Sequence, residues 1–378
     1  MELFKYFSSM NSFDVVIIGG GTAGLMLARE LGKFKRSTLV LDRKDNLLEF
    51  SFNTLGSFMK VEDFDLSKNV IAQKTDTLVF QSKNIKRELK ADNLYVLDKK
   101  KVHEELINAI DKEYVTTKTS IHIKDIIKDK LGNFSFVKDT NNNKYFGKII
   151  IDASGTNGVF SKKIGLREKN GSLATGVEYN VAYLGDPQKM YLLSGKDFQG
   201  GYGWIFPLKN RRAIIGFGTY NDKVVKQLKK RLNEILELPL IKALVLKDND
   251  NVEGGSVPIT PVLENFVLKN LVCVGDSVSQ VNPIVGEGYK FIFEASIMAS
   301  KAIEKSLKYN DINYLYEYET EWKNRFSANY KRSKKAQGKI YKFTNNDVVM
   351  DLALLLMRFR SNDRLIKSIS GEYGLEKK

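Results

Sequence analysis

Three glycines near the start of the sequence have the spacing of a dinucleotide-binding loop. Gly19, Gly21 and Gly24 form the pattern G-x-G-x-x-G, directly after four apolar residues (15–18) that are typical of a buried strand. Glycines let a backbone approach a pyrophosphate closely, and the N-terminus of the helix predicted to follow offers free N–H groups and a positive dipole end. We therefore expect a dinucleotide site here rather than an ordinary glycine turn.

An acidic residue follows the second predicted strand. Residues 38–41 are apolar or β-branched, and Asp42 comes directly after them, where a carboxylate can accept hydrogen bonds from an adenosine ribose. The helix between the two strands is predicted to end at Gly32, because glycine commonly terminates helices. This order of strand, glycine turn, helix, strand and acid predicts a Rossmann-like unit.

A second stretch with suitable chemistry lies far along the chain. A buried strand predicted over residues 271–275 delivers Asp276 to its carboxyl end. There the carboxylate can accept hydrogen bonds from a polyol chain, with capping of the turn as the alternative. Pro283 leads a turn into a long helix predicted from Gly288, whose N-terminus favours a neighbouring anionic group. A reduced flavin carries negative charge at N1 and O2, so this turn suits a flavin ring.

These stretches together resemble a known family. The spacing GD-x6-P-x2-GEG over residues 275–288, joined to the N-terminal glycine loop, resembles FAD-dependent oxidoreductases of the p-hydroxybenzoate hydroxylase-like fold. Among them it most resembles the geranylgeranyl reductase family. Residues 149–166 resemble that family's strand and turn near the flavin. Residues 200–218 contain the Tyr-x-Trp-x-Phe-Pro signature of the reductases, which hydroxylases of this fold generally lack.

The resemblance implies a function. We expect an FAD-dependent reductase that saturates carbon–carbon double bonds of a geranylgeranyl isoprenoid chain, carried by a membrane-lipid precursor or a prenyl diphosphate. Hydride would come from flavin N5 and a proton from the protein, and the electron donor would be NADPH or a ferredoxin protein. Alternatives on the same fold are a lycopene-cyclase-like isomerase and a monooxygenase. A more distant one is a basic FAD-containing protein that binds nucleic acid.

The family's site residues carry over to matching positions. The implied cofactor contacts are Gly19, Gly21, Thr22, Ala23, Gly24, Asp42, Arg43, Lys99, Gly155, Asp276, Pro283, Gly286, Glu287 and Gly288. The implied substrate pocket consists of Tyr202, Trp204, Phe206 and Pro207, with a hydrophobic core face as the alternative. Tyr202, Trp204 and Glu287 are the expected catalytic residues. Tyr202 and Glu287 are the candidate proton donors, and the aromatic faces of Tyr202 and Trp204 would stabilise positive charge.

Several residues depart from the family pattern or receive a structural interpretation. Lys99 stands where the family usually has an arginine, and no Cys-Gly pair follows the second strand. An exposed acid at a helix start is the alternative for Glu287. We expect Asp152 to end its strand in a structural role, Cys273 to be buried and inert, and the two histidines, His103 and His122, to lie on a helix face and a strand surface.

The expected fold class is α/β, with a Rossmann-like FAD-binding domain, an inserted antiparallel-sheet substrate lobe and a C-terminal helical region. Residues 174–218 alternate apolar and polar types, which favours antiparallel strands over further β-α units. The predicted segments are 12–60, 94–165 and 259–309 for the FAD-binding domain, 61–93 and 166–258 for the substrate lobe, and 310–378 for the C-terminal helical region.

Composition limits the compartment and the kinds of site. The 378 residues carry a net charge of +15 and include one cysteine and two histidines. One cysteine excludes an internal disulfide, and so few ligands argue against a structural metal site. Residues 1–13 lack the continuous apolar run of a signal peptide, so we expect a cytoplasmic protein.

Two C-terminal stretches suggest contact with a membrane surface. Eight Lys or Arg and no Asp or Glu occur from Lys323 to Lys342, a run that attracts lipid or nucleic-acid phosphates, with a solvated helix face as the alternative. The apolar run Val348–Met357 is too short to span a bilayer. We expect a peripheral contact with an anionic membrane, on the inner face of the cell membrane. No nucleic-acid partner is expected, because the sequence has no aromatic–basic RNA motif.

Overall fold

The computed structural model describes residues 12–166 and 173–373. The expectation about a leader rests mainly on residues 1–11, which lie outside the described residues, as do 167–172 and 374–378 of the predicted segments. The strands are β1 Ser12–Ile18, β2 Thr38–Leu41, β3 Thr54–Ser57, β4 Ile71–Gln81, β5 Lys86–Asp98, β6 Val115–Lys118, β7 Ile123–Lys128, β8 Phe134–Asp139, β9 Lys144–Asp152, β10 Leu173–Tyr183, β11 Lys189–Leu193, β12 Gly201–Leu208, β13 Arg212–Thr219, β14 Val245–Leu246, β15 Val252–Pro258, β16 Val267–Leu268 and β17 Leu271–Cys273. The helices are α1 Thr22–Lys33, α2 Lys99–Asn108, α3 Val159–Lys163, α4 Asp222–Val225, α5 Leu228–Leu236, α6 Pro239–Lys242, α7 Tyr289–Tyr309, α8 Leu315–Phe343, α9 Asp347–Met357 and α10 Asn362–Ser370.

The first sheet is the parallel sheet of a Rossmann-like domain. Its order is β16-β17-β9-β1-β2-β6, and β1 pairs in parallel with β2 on one side and β9 on the other. The last four residues of β1 are buried, as are all four of β2; α1 packs on these strands, and α7 packs against α1. The glycine turn therefore emerges from the middle of the sheet, at the carboxyl ends of its strands, where such folds bind ligands.

The second sheet forms the inserted lobe. Its order is β14-β10-β13-β12-β11-β4-β5-β3, and β15 also pairs with β10. All of its pairings are antiparallel except that of β11 with β4. The predicted α/β class, with an antiparallel lobe inserted into the FAD-binding domain and helices at the C-terminus, is confirmed. The segment limits stay a prediction, and β3 joins the lobe's sheet from within the segment 12–60.

Two local expectations need revision. Gly32 lies inside α1, which continues to Lys33, and the chain turns at Lys35, whose φ is 56°. The missing side chain at Gly32 instead allows close packing, since a methyl group there would lie 3.4 Å from Cβ of Asp111. The strand predicted over 271–275 ends at Cys273, and Gly275 begins a 3₁₀ turn with a φ of 80°.

The structural interpretations of Asp152 and Cys273 are confirmed. The Asp152 carboxylate is fully buried and accepts hydrogen bonds from the backbone N–H groups of Ser154, Phe160 and Ser161. It therefore fixes the turn after β9. The Cys273 side chain is buried in β17. Among residues 12–166 and 173–373, no helix is long and apolar enough to cross a membrane.

Candidate active site

The glycine turn is shaped by close backbone packing. A methyl group at Gly24 would lie 1.8 Å from the carbonyl oxygen of Gly19, so Gly24 lets α1 begin directly against β1. Gly19 has a φ of 107°, and a methyl group there would lie 2.3 Å from the carbonyl oxygen of Ala153. Both positions therefore require glycine for packing.

Gly21 has a different role. No atom lies within 4 Å of the position that a methyl group at Gly21 would occupy, and the residue lines a cleft of 430 Å³. Gly21 is also the N-cap of α1 and makes no side-chain capping bond. The first N–H groups of the helix therefore remain open to an anion in the cleft.

The Asp42 carboxylate supports the turn as well as lining the cleft. Its Oδ2 accepts a 2.6 Å hydrogen bond from the backbone N–H of Gly20, and Oδ1 accepts a 2.8 Å bond from that of Lys44. An acid at this position thus orients the loop and also lines the cleft.

His103 lies in the cleft, a role that the sequence did not indicate. It is on the buried face of α2, and its Nε2 is 3.1 Å from Oγ1 of Thr22 in the glycine turn. Burial lowers the pKa of His103 to about 3, so the ring is neutral at physiological pH. His122 is exposed at the rim of the same cleft, just before β7 rather than on a strand.

Residues of the late stretch line the same cleft as the first glycine turn. Ten of the fourteen residues predicted to contact the cofactor line it: Gly19, Gly21, Thr22, Asp42, Arg43, Lys99, Gly155, Asp276, Gly286 and Gly288. Ala23 and Gly24 pack α1 instead, and Pro283 and Glu287 line a neighbouring cavity. The open helix N-terminus, the glycine turns and the two acids that line the cleft, Asp42 and Asp276, fit FAD.

The neighbouring cavity is smaller and more aromatic. It has a volume of 170 Å³, and Tyr202, Trp204 and Phe206 of β12 line it together because alternate residues of a strand face one side. Pro207 is buried on the opposite face of the strand and is not among the described residues that line the cavity. Its predicted place in the substrate pocket is therefore corrected.

Glycines of the lobe's sheet make room for the indole ring of Trp204. Gly216 faces Trp204 across the β12–β13 ladder, and a methyl group at Gly216 would lie 2.3 Å from the indole Cε2 atom. Methyl groups at Gly176 and Gly218 would lie 3.0 Å and 3.2 Å from the same ring. The indole therefore lies flat over the sheet, with Phe206 stacked near it at a centroid distance of 6.2 Å.

Glu178 of β10 is the residue that the sequence reasoning missed. The indole Nε1 of Trp204 donates a 3.0 Å hydrogen bond to Oε2 of Glu178. Glu178 pairs with Gly216, which in turn pairs with Trp204, so the bond crosses two ladders of the sheet over a residue without a side chain. The one available signal was the single charged residue of β10, an acid between Val177 and Tyr179.

The two cavities meet along a shared wall. The residues that line both are Phe52, Leu55, Lys99, Gly255, Val257 and Gly286. A methyl group at Gly286 would lie 3.5 Å from the hydroxyl of Tyr202, so the glycine turn before α7 lies directly beside the aromatic strand. A group in the aromatic cavity would therefore lie next to the larger cleft.

Comparison with known proteins agrees with this geometry. The model of the lycopene cyclase protein family matches residues 14–360, which include both glycine turns and the aromatic strand. The chain belongs to this family. The digeranylgeranylglycerophospholipid reductase of Methanococcus aeolicus is 27% identical over 348 residues, 84% of this chain and 83% of that protein.

Solved structures share the fold of this lycopene cyclase family member. A geranylgeranyl bacteriochlorophyll reductase-like protein from Thermoplasma acidophilum has a TM-score of 0.82 at 22% identity, covering 96% of this chain and 97% of that one. PqsL of Pseudomonas aeruginosa, a probable FAD-dependent monooxygenase, has a TM-score of 0.70 at 16% identity, covering 91% of this chain and 100% of that one. The resemblance to geranylgeranyl reductases is confirmed, and the protein is an FAD-dependent oxidoreductase.

Two buried carboxyl groups of this lycopene cyclase family member line the aromatic cavity. Burial raises the pKa of Glu178 to about 8, although the hydrogen bond from Trp204 and the positive charge of Lys99 oppose the rise. Burial likewise raises the pKa of Glu287 to about 7, opposed by a 2.6 Å hydrogen bond from Oγ of Ser57 to Oε1. Both groups therefore hold a proton for much of the time near neutral pH.

Each of these carboxyl groups has one oxygen atom that makes no hydrogen bond to the described part of the chain. Within the described part of the chain, Oε1 of Glu178 and Oε2 of Glu287 are buried and have no hydrogen-bond partner. Glu287 is thus in the cavity wall and not an exposed acid at a helix start. Tyr202 differs, because its hydroxyl donates to the carbonyl oxygen of Val285 and burial raises its pKa above the usual value. Its proton is held in place and is hard to release.

Lys99 lies at the wall between the two cavities. Loss of solvation lowers the pKa of its ammonium, and the nearby acidic groups of Glu178 and Asp276 oppose that decrease. Its Nζ lies 5.6 Å from the centre of the Phe52 ring. A cation at this wall can contact an anionic group in either cavity.

Proposed function

We propose that the protein reduces carbon–carbon double bonds of a geranylgeranyl chain carried by a lipid or a diphosphate. Three features support this proposal: the aromatic cavity, its contact with the FAD cleft, and the curated relatives named digeranylgeranylglycerophospholipid reductase. The observation that carries it is Oε2 of Glu287, a buried carboxyl oxygen without a partner in the described chain, in the wall beside Gly286.

An isolated alkene accepts hydride poorly, so a proton has to arrive with it. FAD, when bound in its reduced form, would supply the hydride that one carbon of the double bond needs. The protonated Glu287 carboxyl group donates a proton to the other carbon, so the alkene gains two hydrogens and the carboxylate regains its proton from solvent. A carboxylic acid with a pKa of about 7 can both hold and release that proton at neutral pH.

The aromatic residues position the alkene and stabilise the positive charge that develops on it. The face of Trp204 is fixed by Glu178, and the rings of Tyr202 and Phe206 stand on either side of it along β12. Aromatic faces attract cations without reacting with them, so these rings stabilise positive charge that develops on the chain. Tyr202, whose hydroxyl donates a hydrogen bond to the carbonyl oxygen of Val285, serves in this wall and not as the acid.

A cyclase activity is the second candidate, favoured by the family model itself. Both reactions can begin with proton transfer to an alkene, but only the reductase adds hydride. The test incubates dithionite-reduced, FAD-loaded protein with geranylgeranyl lipids and geranylgeranyl diphosphate under anaerobic conditions. A mass gain of two hydrogens per double bond supports the reductase.

Two other results would overturn the reductase proposal. An unchanged mass with altered retention would identify a cyclase or isomerase. Oxygen consumption in air with a hydroxylated product would identify a monooxygenase. The electron donor is expected to be NADPH or a ferredoxin, and the rate at which each bleaches the FAD absorbance of the protein distinguishes them.

A further inference from the structure

Helix α9 turns an apolar face away from the protein. Val348, Leu352, Leu356 and Phe359 are 75%, 53%, 56% and 87% exposed, and we term these four residues the apolar stripe. They recur at intervals of three or four residues, so they share one side of α9 and the turn after it. Large apolar side chains grouped in this way on a surface mark an interaction site.

The opposite side of α9 is attached through acidic residues. Oδ1 of Asp347 accepts a 2.8 Å hydrogen bond from the backbone N–H of Lys196. Asp351 accepts hydrogen bonds of 2.5 Å from Oγ of Ser82 and 2.7 Å from Nδ2 of Asn84. The inner side of α9 combines these polar contacts with the buried Met350 and Leu354, and the apolar stripe is a second apolar side that faces outward.

Basic residues stand at both ends of the apolar stripe. Lys342 precedes it, with Nζ 5.6 Å from the ring centre of the exposed Phe343, and the exposed Arg358 and Arg360 flank Phe359. From residue 331 to residue 364 the chain has nine Lys or Arg and three Asp.

Each of the three aspartates already makes a hydrogen bond or an ion pair with another residue of the same chain. Asp347 and Asp351 attach α9, and Asp363 pairs with Lys367 at 2.8 Å. The positive charge at the ends of the apolar stripe is therefore not neutralised by these acids.

Part of the basic run predicted over 323–342 is used internally. Lys323 pairs with Glu319, Arg325 with Glu294, and Lys334 donates to the carbonyl oxygen of Ile259. The lysines that remain exposed include Lys331, Lys335, Lys339 and Lys342. The cationic surface is thus smaller than the sequence run and lies towards the C-terminal end of α8.

The apolar stripe begins beside the aromatic cavity. Oγ1 of Thr344, between α8 and α9, accepts a 2.9 Å hydrogen bond from the backbone N–H of Gly200, which lines that cavity. Tyr341 also lines the cavity and stacks on Tyr220 at a centroid distance of 4.8 Å. The surface and the cavity therefore share one corner of the protein.

We propose that the apolar stripe docks on an anionic lipid bilayer, with its side chains among the acyl chains and Lys342, Arg358 and Arg360 at the headgroup phosphates. An apolar face with cations at its rim has the two features that bind a peripheral helix to such a surface. A second copy of this chain fits less well, because a symmetric contact would bring like charges together. Delivery of a lipid chain from the bilayer to the adjacent cavity rests on the proposed function, whereas the docking does not.

Flotation of FAD-loaded protein with vesicles tests the surface. The vesicles contain phosphatidylcholine alone or mixed with phosphatidylglycerol, at low and high salt. We expect the protein to float with the anionic vesicles, less with the neutral ones, and less at high salt. The Leu352→Gln, Leu356→Gln double variant should bind the anionic vesicles about tenfold more weakly or worse, because the apolar contribution is lost.

A single substitution elsewhere on the surface is the control for the double variant, and two results would contradict docking on a bilayer. Leu131→Gln changes a still more exposed leucine in the turn between β7 and β8, far from the apolar stripe in sequence, and it should float like the wild type. Unchanged flotation of the double variant, or a wild-type dimer in sedimentation that the double variant abolishes, would overturn the proposal. Turnover of detergent-solubilised geranylgeranyl lipid is measured separately, so that loss of activity with intact flotation counts against the proposed function alone.

Discussion

The indole nitrogen of Trp204 donates a 3.0 Å hydrogen bond to Glu178, a residue on a strand that is not its neighbour in the sheet. The bond passes over Gly216, where any side chain would occupy the space of the ring. It ties the orientation of an aromatic cavity wall to a buried carboxyl group. The wall is therefore fixed before any substrate arrives, which lowers the cost of aligning a flexible chain.

Gly216→Ala tests this arrangement. The new methyl group would lie 2.3 Å from the indole, so Trp204 has to move and its bond to Glu178 weakens. We expect a loss of about 1–3 kcal/mol in the free energy of unfolding and a larger relative loss of double-bond reduction, with FAD binding retained. Urea unfolding, FAD titration and turnover measure the three effects.

Gly338→Ala is the matched control for this variant. No atom lies within 4 Å of a methyl group there, and the residue is inside α8, so the protein should become more stable by up to about 1 kcal/mol. If Gly216→Ala is as active as the wild type, the orientation of Trp204 does not matter for the reaction.

The first loop was predictable because its signals are local. The strand, the glycine spacing and the acid after β2 occupy one continuous stretch, and the structure places Gly21 and Asp42 in one cleft. The same locality explains why Tyr202, Trp204 and Phe206 were placed together, since alternation on one strand requires no knowledge of the fold.

The partners of these residues were not predictable, because they depend on strand register and domain packing. Glu178 reaches Trp204 only through the order β10-β13-β12, and His103 reaches Thr22 across 81 residues of sequence. Pro207 was misplaced because the motif was carried over as a block, whereas a strand sends successive residues to opposite faces.

Gly21→Ala and Gly24→Ala separate cofactor binding from folding. A methyl group at Gly21 meets no protein atom within 4 Å but enters the FAD cleft, so we expect FAD affinity to fall by about tenfold or more while the apoprotein keeps its stability. A methyl group at Gly24 would lie 1.8 Å from the carbonyl oxygen of Gly19, so that variant should be destabilised by roughly 1–3 kcal/mol or more.

Flavin fluorescence gives the affinity, and thermal unfolding of the apoprotein gives the stability. Equal effects of the two substitutions on both quantities would contradict the distinct roles of Gly21 and Gly24.

Glu287→Gln tests the proton donor. The amide keeps the shape of the side chain and can still accept the bond from Ser57, but it supplies no acidic proton, so single-turnover reduction should fall by about 10²-fold or more. FAD content, read from absorbance, should stay unchanged. Because the acid form is the active one, wild-type turnover should fall as pH rises through about 7.

Two further variants distinguish Glu287 from Glu178 in this role. Ser57→Ala removes a hydrogen bond that lowers the pKa of Glu287, so the decline in turnover should move to higher pH. If Glu178 were the donor instead, the decline in turnover would be centred near pH 8, and Ser57→Ala would not move it. Glu178→Gln would then abolish double-bond reduction.

Stability should also fall with pH because of the buried carboxyl groups. The pKa values of about 8 for Glu178 and about 7 for Glu287 lie above the unfolded value near 4.5, so the folded state binds more protons between those limits. The free energy of unfolding then decreases as pH rises from about 5 to about 8, by at most about 1.4 kcal/mol per pH unit for each group. Glu178→Gln removes the contribution of Glu178 to this decrease. Between pH 5.5 and pH 8 the free energy of unfolding of the variant should therefore fall by about 1–3 kcal/mol less than that of the wild type. Urea unfolding at fixed FAD concentration measures the difference, with the exposed Glu264→Gln as control. Parallel pH curves for wild type and Glu178→Gln would mean that Glu178 is ionised in the folded protein.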